Sequence, residues 1–475
     1  MVKTTHYDMI VIGGGTAGLV TSAGSAGIGA RVALIEQSRL GGECLWTGCV
    51  PSKAMIASAR VAQEARTAAR FGIAVHDVEV NFPGVMRWIR EAQERIAPHD
   101  SPERFRSLGV DVIQGAARFV DERRLMVNGD ILTAKRITIA TGSVPAIPSI
   151  EGLDKVPYFT NETIFSLEQQ PHTLLILGGG AIGLELAQAF ARLGTSVQII
   201  EQDSQILARE DRELADMLGA CLTADGVTLL LGTKATRVAS ADGRIQLHAT
   251  TSDGRTVTLE GDALLVATGR TPNVASLELE KGAIEANKHG IVADHTLKTT
   301  APGVWTAGDC VGPLRFTHVA DYQARLVVRN AFFPFARKAN YDAVPWVTYT
   351  APELAHVGLT EQEARERNGD SVRVWRRKFS DVDRAVTDGH MDGMVKLITD
   401  RHGKILGGHI LGYGAGNMIG EITIAMRNGL SATKLANTIH PYPTYPEAIK
   451  QAADEFQKSR FTGLIKTIAR WFATS

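Results

Sequence analysis

The sequence predicts an α/β chain with two dinucleotide-binding βαβ units and a separate α+β domain at its C-terminal end. Three observations predict it. A strand, glycine turn and helix pattern occurs twice in matching register. At 475 residues the chain is too long for one growing core. From about Pro345 the texture changes to alternating stretches such as SVRVWRRKF and GMVKLITDRHGKILGGHILG, with DRHG as a turn, followed by a helical stretch around Met418 to Arg427.

The first unit is DMIVIGGGTAGLVTSAGSAGIGARVALIEQ. Gly13, Gly15 and Gly18 have the GxGxxG spacing of a Rossmann unit, which permits a tight turn, close backbone approach to a pyrophosphate and close packing of helix on sheet. The helix N-terminus then presents free N–H groups to phosphate. Glu36 lies 23 residues beyond Gly13, at the end of the next strand, where a carboxylate can accept ribose hydroxyls. The second unit, HTLLILGGGAIGLELAQAFARLGTSVQIIEQ, places Gly178, Gly180 and Gly183 in the same positions and Glu201 again 23 residues after the first glycine. One such string arises easily in a glycine-rich loop, whereas two in register argue for two cofactor sites. Glu201 favours NADH over NADPH, because a carboxylate repels a 2′-phosphate and no basic residue occurs from Gln202 to Gln205. Arg209 is the nearest base.

Composition narrows the function classes. Glycine is enriched, at 47 residues, as expected where many turns must approach phosphates. Lys plus Arg and Asp plus Glu both total 51, which gives no electrostatic reason to expect nucleic acid as a partner. The apolar run near the N-terminus is of strand length, far below the roughly 20 residues of a membrane span, so it reads as a buried strand and not a signal peptide. Four cysteines (Cys44, Cys49, Cys221, Cys310) cannot staple so long a chain, and the expected location is cytoplasmic.

The closest pair of cysteines lies in LGGECLWTGCVPSKAMIASARVAQEA, directly after the first unit. Gly41 and Gly42 make a flexible approach, helical periodicity runs from Ala54 onward, and Pro51 suits a first helical turn. In a helix-like turn Cys44 and Cys49 would be close enough to bridge. Metal ligation, two inert buried thiols and a redox pair all compete as explanations. Two cysteines without a second pair or a histidine make an incomplete zinc set, so no resident metal site is read. Beside a dinucleotide site the redox pair explains more, with Lys53 placed to stabilise negative charge on a thiolate or a reduced ring.

The whole chain resembles the FAD-dependent pyridine nucleotide-disulfide oxidoreductases, the group of dihydrolipoamide dehydrogenase, glutathione reductase and mercuric reductase. The resemblance rests on GGECLWTGCVPSK, on RITIATGS with Thr141 and Gly142, on ALLVATGRTPN with Gly269, Arg270 and Pro272, and on GVWTAGDC with Asp309. It implies a glutathione reductase-like fold and a homodimer whose active site is completed by the partner's C-terminal segment. It also implies that Cys44 meets the acceptor, that Cys49 contacts the flavin, that Lys53 lies near flavin N5 with Glu185 as its acidic partner, and that Asp309 holds the ribityl chain. Thr141 with Gly142 matches the strand leaving the FAD domain, and Gly269 with Arg270 the return crossing. Cys310 reads as a packed residue.

The C-terminal segment TIHPYPTYPEAIKQAADEF departs from the disulfide reductases, which carry a histidine before Pro-Thr paired with a glutamate. Here Tyr442 takes that place, Glu447 is kept, and His440 lies two residues upstream. A tyrosine of pKa about 10 is a poor proton acceptor at neutral pH, where histidine at about 6.5 titrates. Mercuric reductases resemble the chain more closely at this place, and a soft metal ion suits a thiolate pair. Their usual vicinal cysteines near the C-terminus have no counterpart here, and no N-terminal metal-binding domain is expected ahead of the first strand.

The reading therefore expects an FAD-binding segment at 1–150, an NAD(P)-binding segment at 151–275, the return of the FAD-binding segment at 276–344, a dimerisation segment at 345–457 and a basic amphipathic helix at 458–475. In that last helix Phe461, Leu464, Ile465, Ile468 and Phe472 share one face, while Lys458, Arg460, Lys466 and Arg470 supply charge that could rest on the inner face of an anionic membrane. The expected activity is transfer of electrons from NADH (NADPH is the alternative) through FAD to a Cys44–Cys49 disulfide, in a mercuric reductase-like enzyme of unassigned acceptor. Two other readings stand beside it: a dihydrolipoamide dehydrogenase-like enzyme using His440, and a slowly turning redox sensor or membrane-associated flavoprotein.

Overall fold

The computed structural model describes residues 3–460 and residue 473. The first strand, Thr4–Ile12, lies between Val32–Glu36 and Asp130–Ile139, parallel to both, and Val110–Gln114 extends the sheet beyond Val32–Glu36. Strands flanked on both sides in a parallel sheet bury both faces, which is why Met9 to Ile12 is a continuous apolar run with no alternation. The chain builds outward on one side of the first strand and then crosses to the other. The carboxyl ends of Thr4–Ile12 and Asp130–Ile139 thus flank the switch point where open α/β sheets bind ligands. After an excursion of more than a hundred residues, Val304–Thr306 returns to pair in parallel with Asp130–Ile139.

The excursion contains a second parallel sheet, ordered Val227–Leu230, Ser196–Ile200, Thr173–Leu177, Ala263–Val266, with an antiparallel meander over Thr233–Ala241, Arg244–Thr251 and Thr256–Gly261. Exit and return are stapled together. Ser143–Pro145 leaves the first sheet, Arg270–Pro272 comes back, and the two pair antiparallel.

Helix Cys49–Arg66 starts later in the chain than the first sheet's turn and packs against both Phe82–Ile96 and Ala181–Arg192. Met55, Phe82, Met86, Ile89, Leu184 and Phe190 share one apolar core across this junction. That packing aligns the cysteine-bearing helix with the first helix of the second unit.

The last sheet is five-stranded and antiparallel, in the order Pro345–Thr348, Glu353–Gly358, Ile405–Gly412, Met394–Thr399, Arg373–Lys378. The expected DRHG turn joins two of these strands, and Asp400 holds it by accepting from the His402 and Lys404 N–H groups. Helices Ala415–Arg427 and Glu447–Ser459 cover the sheet. The tail residues Phe461 to Phe472 that were read as an amphipathic helix lie outside the described residues. Among the described residues no helix is long and apolar enough to cross a membrane.

Candidate active site

Both glycine turns are built by the same steric demand. Gly13 has φ +107° and a Cβ there would lie 2.3 Å from the Ala140 carbonyl oxygen, while a Cβ on Gly18 would meet the Gly13 oxygen at 1.8 Å. Gly178, with φ +109°, and Gly183 repeat the arrangement against the Ala267 and Gly178 oxygens, at 2.5 and 2.1 Å. Gly15 and Gly180 precede helices Thr16–Gly27 and Ala181–Arg192, and among the described residues no side chain caps either helix, which leaves the first-turn N–H groups available. The terminal acids lock the turns. Glu36 accepts from the Gly14 and Ser38 N–H groups, each at 2.6 Å, and Glu201 accepts from Gly179 at 2.6 Å and Asp203 at 2.8 Å.

The first turn opens into a cavity of about 480 Å³, walled by Gly13, Gly15, Glu36, Arg39, Trp46, Thr141 and Gly142 among others. The Thr141 hydroxyl is buried there without a hydrogen-bond partner among the described residues. Gly42, with φ +59°, backs directly onto the turn, since a Cβ on it would sit 2.6 Å from the Gly15 Cα. This cavity shares Gly15, Glu43, Thr47, Ala140 and Gly142 with a second one of about 710 Å³, so the two form one cleft running from the glycine turn to the cysteines. Its length, its glycine-lined end and the orphaned hydroxyl fit an extended dinucleotide.

Cys44 and Cys49 line the second cavity. They are not on one helical turn as the spacing suggested. Cys44 belongs to a short helix, Gly42–Trp46, Cys49 begins the helix Cys49–Arg66, and the break at Thr47 and Gly48 folds the sulfurs together. They stand 3.1 Å apart and are not bonded in this structure, a separation that brings the pair together without a formed disulfide. The Cys49 thiol is pulled down to about 6, chiefly by the hydrogen bond from the Cys44 thiol, against desolvation, with further help from the Thr317 hydroxyl at 3.6 Å and from Lys53. Cys44, as the donor in that hydrogen bond and desolvated, is pushed up. The pair shares one proton, and Cys49 at a helix N-terminus is the thiolate.

Lys53 lies one turn beyond Cys49, and its ammonium donates to the Glu185 carboxylate at 2.7 Å. Glu185 also accepts from the Tyr349 N–H at 2.8 Å, and Lys53 stands over the Tyr349 ring, 4.5 Å from its centroid. A buried carboxylate on the second unit thus fixes a cation on the thiol helix. Thr317 and Tyr349 were not singled out in the sequence, and no motif marks them.

Asp309 accepts from the Ser143 hydroxyl at 2.7 Å and lines the thiol cavity. Gly269, with φ +132°, leads into Arg270, which also lines this cavity but is committed to protein partners. Its guanidinium is 11% exposed and donates to the Ser143 hydroxyl and carbonyl, each at 2.8 Å, to Asn161 at 3.2 Å and to the Glu43 carboxylate. Arg270 therefore ties the two crossing strands to the segment just before Cys44. Burial pushes the Glu43 carboxyl up to about 7 although Arg270 pulls it down. Glu43 was missed by the sequence reading, where its position directly before Cys44 was the available signal.

The C-terminal residues lie away from the thiol cavity of their own chain. The Tyr442 side chain is exposed, its residue 70% accessible, and its hydroxyl donates to Asp383 at 2.8 Å, which raises its pKa. His440 is 6% exposed, with Nε2 on the Glu421 carboxylate at 2.9 Å and Nδ1 on the Thr438 carbonyl at 3.0 Å. The carboxylate beside this histidine is thus Glu421. Glu447 opens the helix Glu447–Ser459. Cys310 is fully buried, its thiol against Thr306, Ala307 and Ile139.

Comparisons with known proteins agree with this geometry. Residues 7–324 match the pyridine nucleotide-disulphide oxidoreductase family, and residues 344–453 match the dimerisation domain of the same family. A mercuric reductase of Streptomyces lividans is 36% identical over 464 residues, covering 95% of this chain and 96% of the relative. A dihydrolipoyl dehydrogenase of Bacillus subtilis (strain 168) is 32% identical over 467 residues, covering 94% and 98%. Among solved structures, the Cu(II) complex of the HOCl-induced flavoprotein disulfide reductase RclA from Escherichia coli superposes with a TM-score of 0.86 at 30% identity, covering 95% of this chain and 99% of that one. With two Rossmann-type units, a dithiol at the end of their cleft and a dimerisation domain behind them, the chain belongs to the pyridine nucleotide-disulphide oxidoreductases, FAD-dependent enzymes that oxidise or reduce NAD(P)(H) and work as homodimers.

Proposed function

We propose that the enzyme uses NADH to reduce a thiophilic metal ion, Hg(II) or Cu(II), at Cys44 and Cys49. The observation that carries this reading is the thiol pair itself: two sulfurs 3.1 Å apart, one of them thiolate near neutral pH, lining an open cavity. Two soft sulfur donors facing one cavity suit a thiophilic ion as substrate. The names of the relatives point the same way, since mercuric reductases and a Cu(II) complex stand among them.

FAD, when bound along the cleft, supplies the two-electron link between nicotinamide and sulfur. Gly13, Gly15, Gly18, Gly42 and Glu36 would hold its pyrophosphate and ribose end, and Thr141, Gly142 and Asp309 its middle. Gly178, Gly180, Gly183 and Glu201 would hold the nicotinamide dinucleotide. NADH is favoured because the Glu201 carboxylate beside the second glycine turn would repel a 2′-phosphate and Arg209 is occupied over the Trp346 ring, 5.2 Å from its centroid. Lys53, fixed by Glu185, would steady negative charge at the inner end of the cavity, and Cys49 would be the sulfur next to that charge. Cys44 retains its proton in the resting dithiol and would be the sulfur offered to the acceptor. Oxidation of the pair to a disulfide releases two electrons and the one proton held by Cys44, and the two electrons suffice for one Hg(II) or two Cu(II) ions. Tyr442 of the partner subunit would approach the metal from outside.

A second reading, oxidation or reduction of a dithiol substrate such as lipoamide, is favoured by one observation: His440 has a carboxylate neighbour in Glu421, as a general base needs. An anaerobic acceptor panel of Hg(II), Cu(II), lipoamide and glutathione disulfide separates the two. Metal-dependent NADH oxidation lost in Cys44→Ser supports the first reading. Lipoamide turnover lost in His440→Ala, with dye reduction intact, would replace it by the second.

A further inference from the structure

The last sheet carries a row of polar and aromatic side chains facing the segment before helix Arg212–Ala224. Trp346 is registered opposite His356, and His356 opposite His409, on neighbouring antiparallel strands. Glu210 descends on this row, and one ligand atom from each of Glu210, His356 and His409 lies within 4.8 Å of the others. All three are buried, His356 and His409 to within 1% of completely.

The hydrogen bonds around the pair orient both rings the same way. His356 Nε2 faces the Gly358 carbonyl and His409 Nε2 faces the Leu359 carbonyl, each at 2.9 Å. A carbonyl only accepts, so each Nε2 carries the proton and each ring has Nδ1 left as its second atom. His356 Nδ1 is turned to the Glu210 carboxylate at 2.9 Å, and His409 Nδ1 has no hydrogen-bond partner among the described residues. An orphaned imidazole lone pair in a dry interior is costly. Backbone carbonyls holding the far N–H of each ring are also the usual support behind metal-bound histidines.

Charge points the same way. The Lys396 ammonium beside this segment is spent on Asp211, Glu213 and Glu361, each at 2.8 Å, and Glu210 has no lysine or arginine ion pair among the described residues, its other oxygen accepting from the Trp346 indole N–H. We infer that Glu210, His356 and His409 form a site for one divalent transition ion of borderline softness, of the Zn(II) class, separate from the thiols. Two imidazoles and a carboxylate are its expected donor set. The ion would replace the proton between Glu210 and His356 and clamp the segment before helix Arg212–Ala224 onto the last sheet.

The test uses the FAD-loaded enzyme with Cys44→Ser and Cys49→Ser, which removes the two thiols of the cleft. After equilibration with Zn(II) and desalting, this protein should retain about one Zn(II) per flavin, and His409→Asn or His356→Asn should cut retention at least about tenfold with flavin content unchanged. Should the histidine variants shed flavin, Co(II) bound to the histidine-intact protein decides: visible d–d bands of a nitrogen and oxygen site support the inference. No Zn(II) retained by the double-serine protein, retention indifferent to both histidines, or no Co(II) bands would overturn it and leave a buried proton shared by Glu210 and His356.

Discussion

The two glycine turns are nearly the same object in different surroundings. In both, a glycine at positive φ sits under a carbonyl, a second glycine packs a helix against it, and a glutamate accepts an N–H of the turn at 2.6 Å. The first turn opens into a cleft that continues to the thiols, with Arg39 stacked on Trp46 in its wall, 4.5 Å from the ring centroid. The helix behind the second turn puts Ala181, Ile182 and Glu185 on the other side of the thiol cavity. The turn itself makes only a pyrophosphate cradle. Which dinucleotide it takes, and what chemistry follows, is decided by the side chains beyond it.

Breaking one cradle at a time should give the largest effect. In Gly18→Val the added side chain overlaps the Gly13 oxygen, and the protein should be isolated without FAD. Gly183→Val should keep its FAD absorbance and lose reduction by NADH. Loss of FAD from both variants, read by absorbance after desalting, would mean that the cradles are not independent.

Next in size is Cys49→Ser, which should lower acceptor reduction about a thousandfold or more, while NADH-driven reduction of an artificial dye persists. The thiolate comes third. Because Cys49 is lowered to about 6, alkylation of the reduced pair should rise with pH through about 6 and fade below it, where an ordinary thiol titrates near about 8.5. Cys44→Ala removes the largest cause and should move that midpoint up furthest. Lys53→Met should move it by less than about one unit. The smallest effect belongs to Glu201→Ala, where relief of repulsion of about 1 kcal/mol should improve NADPH relative to NADH roughly fivefold in kcat/KM.

Much of the architecture was legible because it is local. GxGxxG between a buried strand and a helix, with an acid closing the next strand, states a whole βαβ unit in about 30 residues. The alternating stretches after Pro345 likewise announced an antiparallel sheet. The cysteine motif was legible as a pair but not as geometry, since the break at Thr47 and Gly48 that brings the sulfurs together leaves no periodic trace. Thr317, Tyr349 and Glu43 reach the site from three distant segments, and only tertiary packing joins them. Glu210, His356 and His409 likewise come from three separate segments. Strand register alone sets the two histidines opposite one another.

The central claim is that Cys49 is the thiolate facing the flavin end of the cavity and Cys44 the sulfur facing the acceptor. Anaerobic titration with NADH, followed across the visible spectrum, tests it most directly. The account predicts uptake of about two equivalents of NADH per flavin by the oxidised enzyme, with a long-wavelength band midway that survives in Cys44→Ser and disappears in Cys49→Ser. Full reduction by a single equivalent, or the same band in Cys49→Ser, would contradict it.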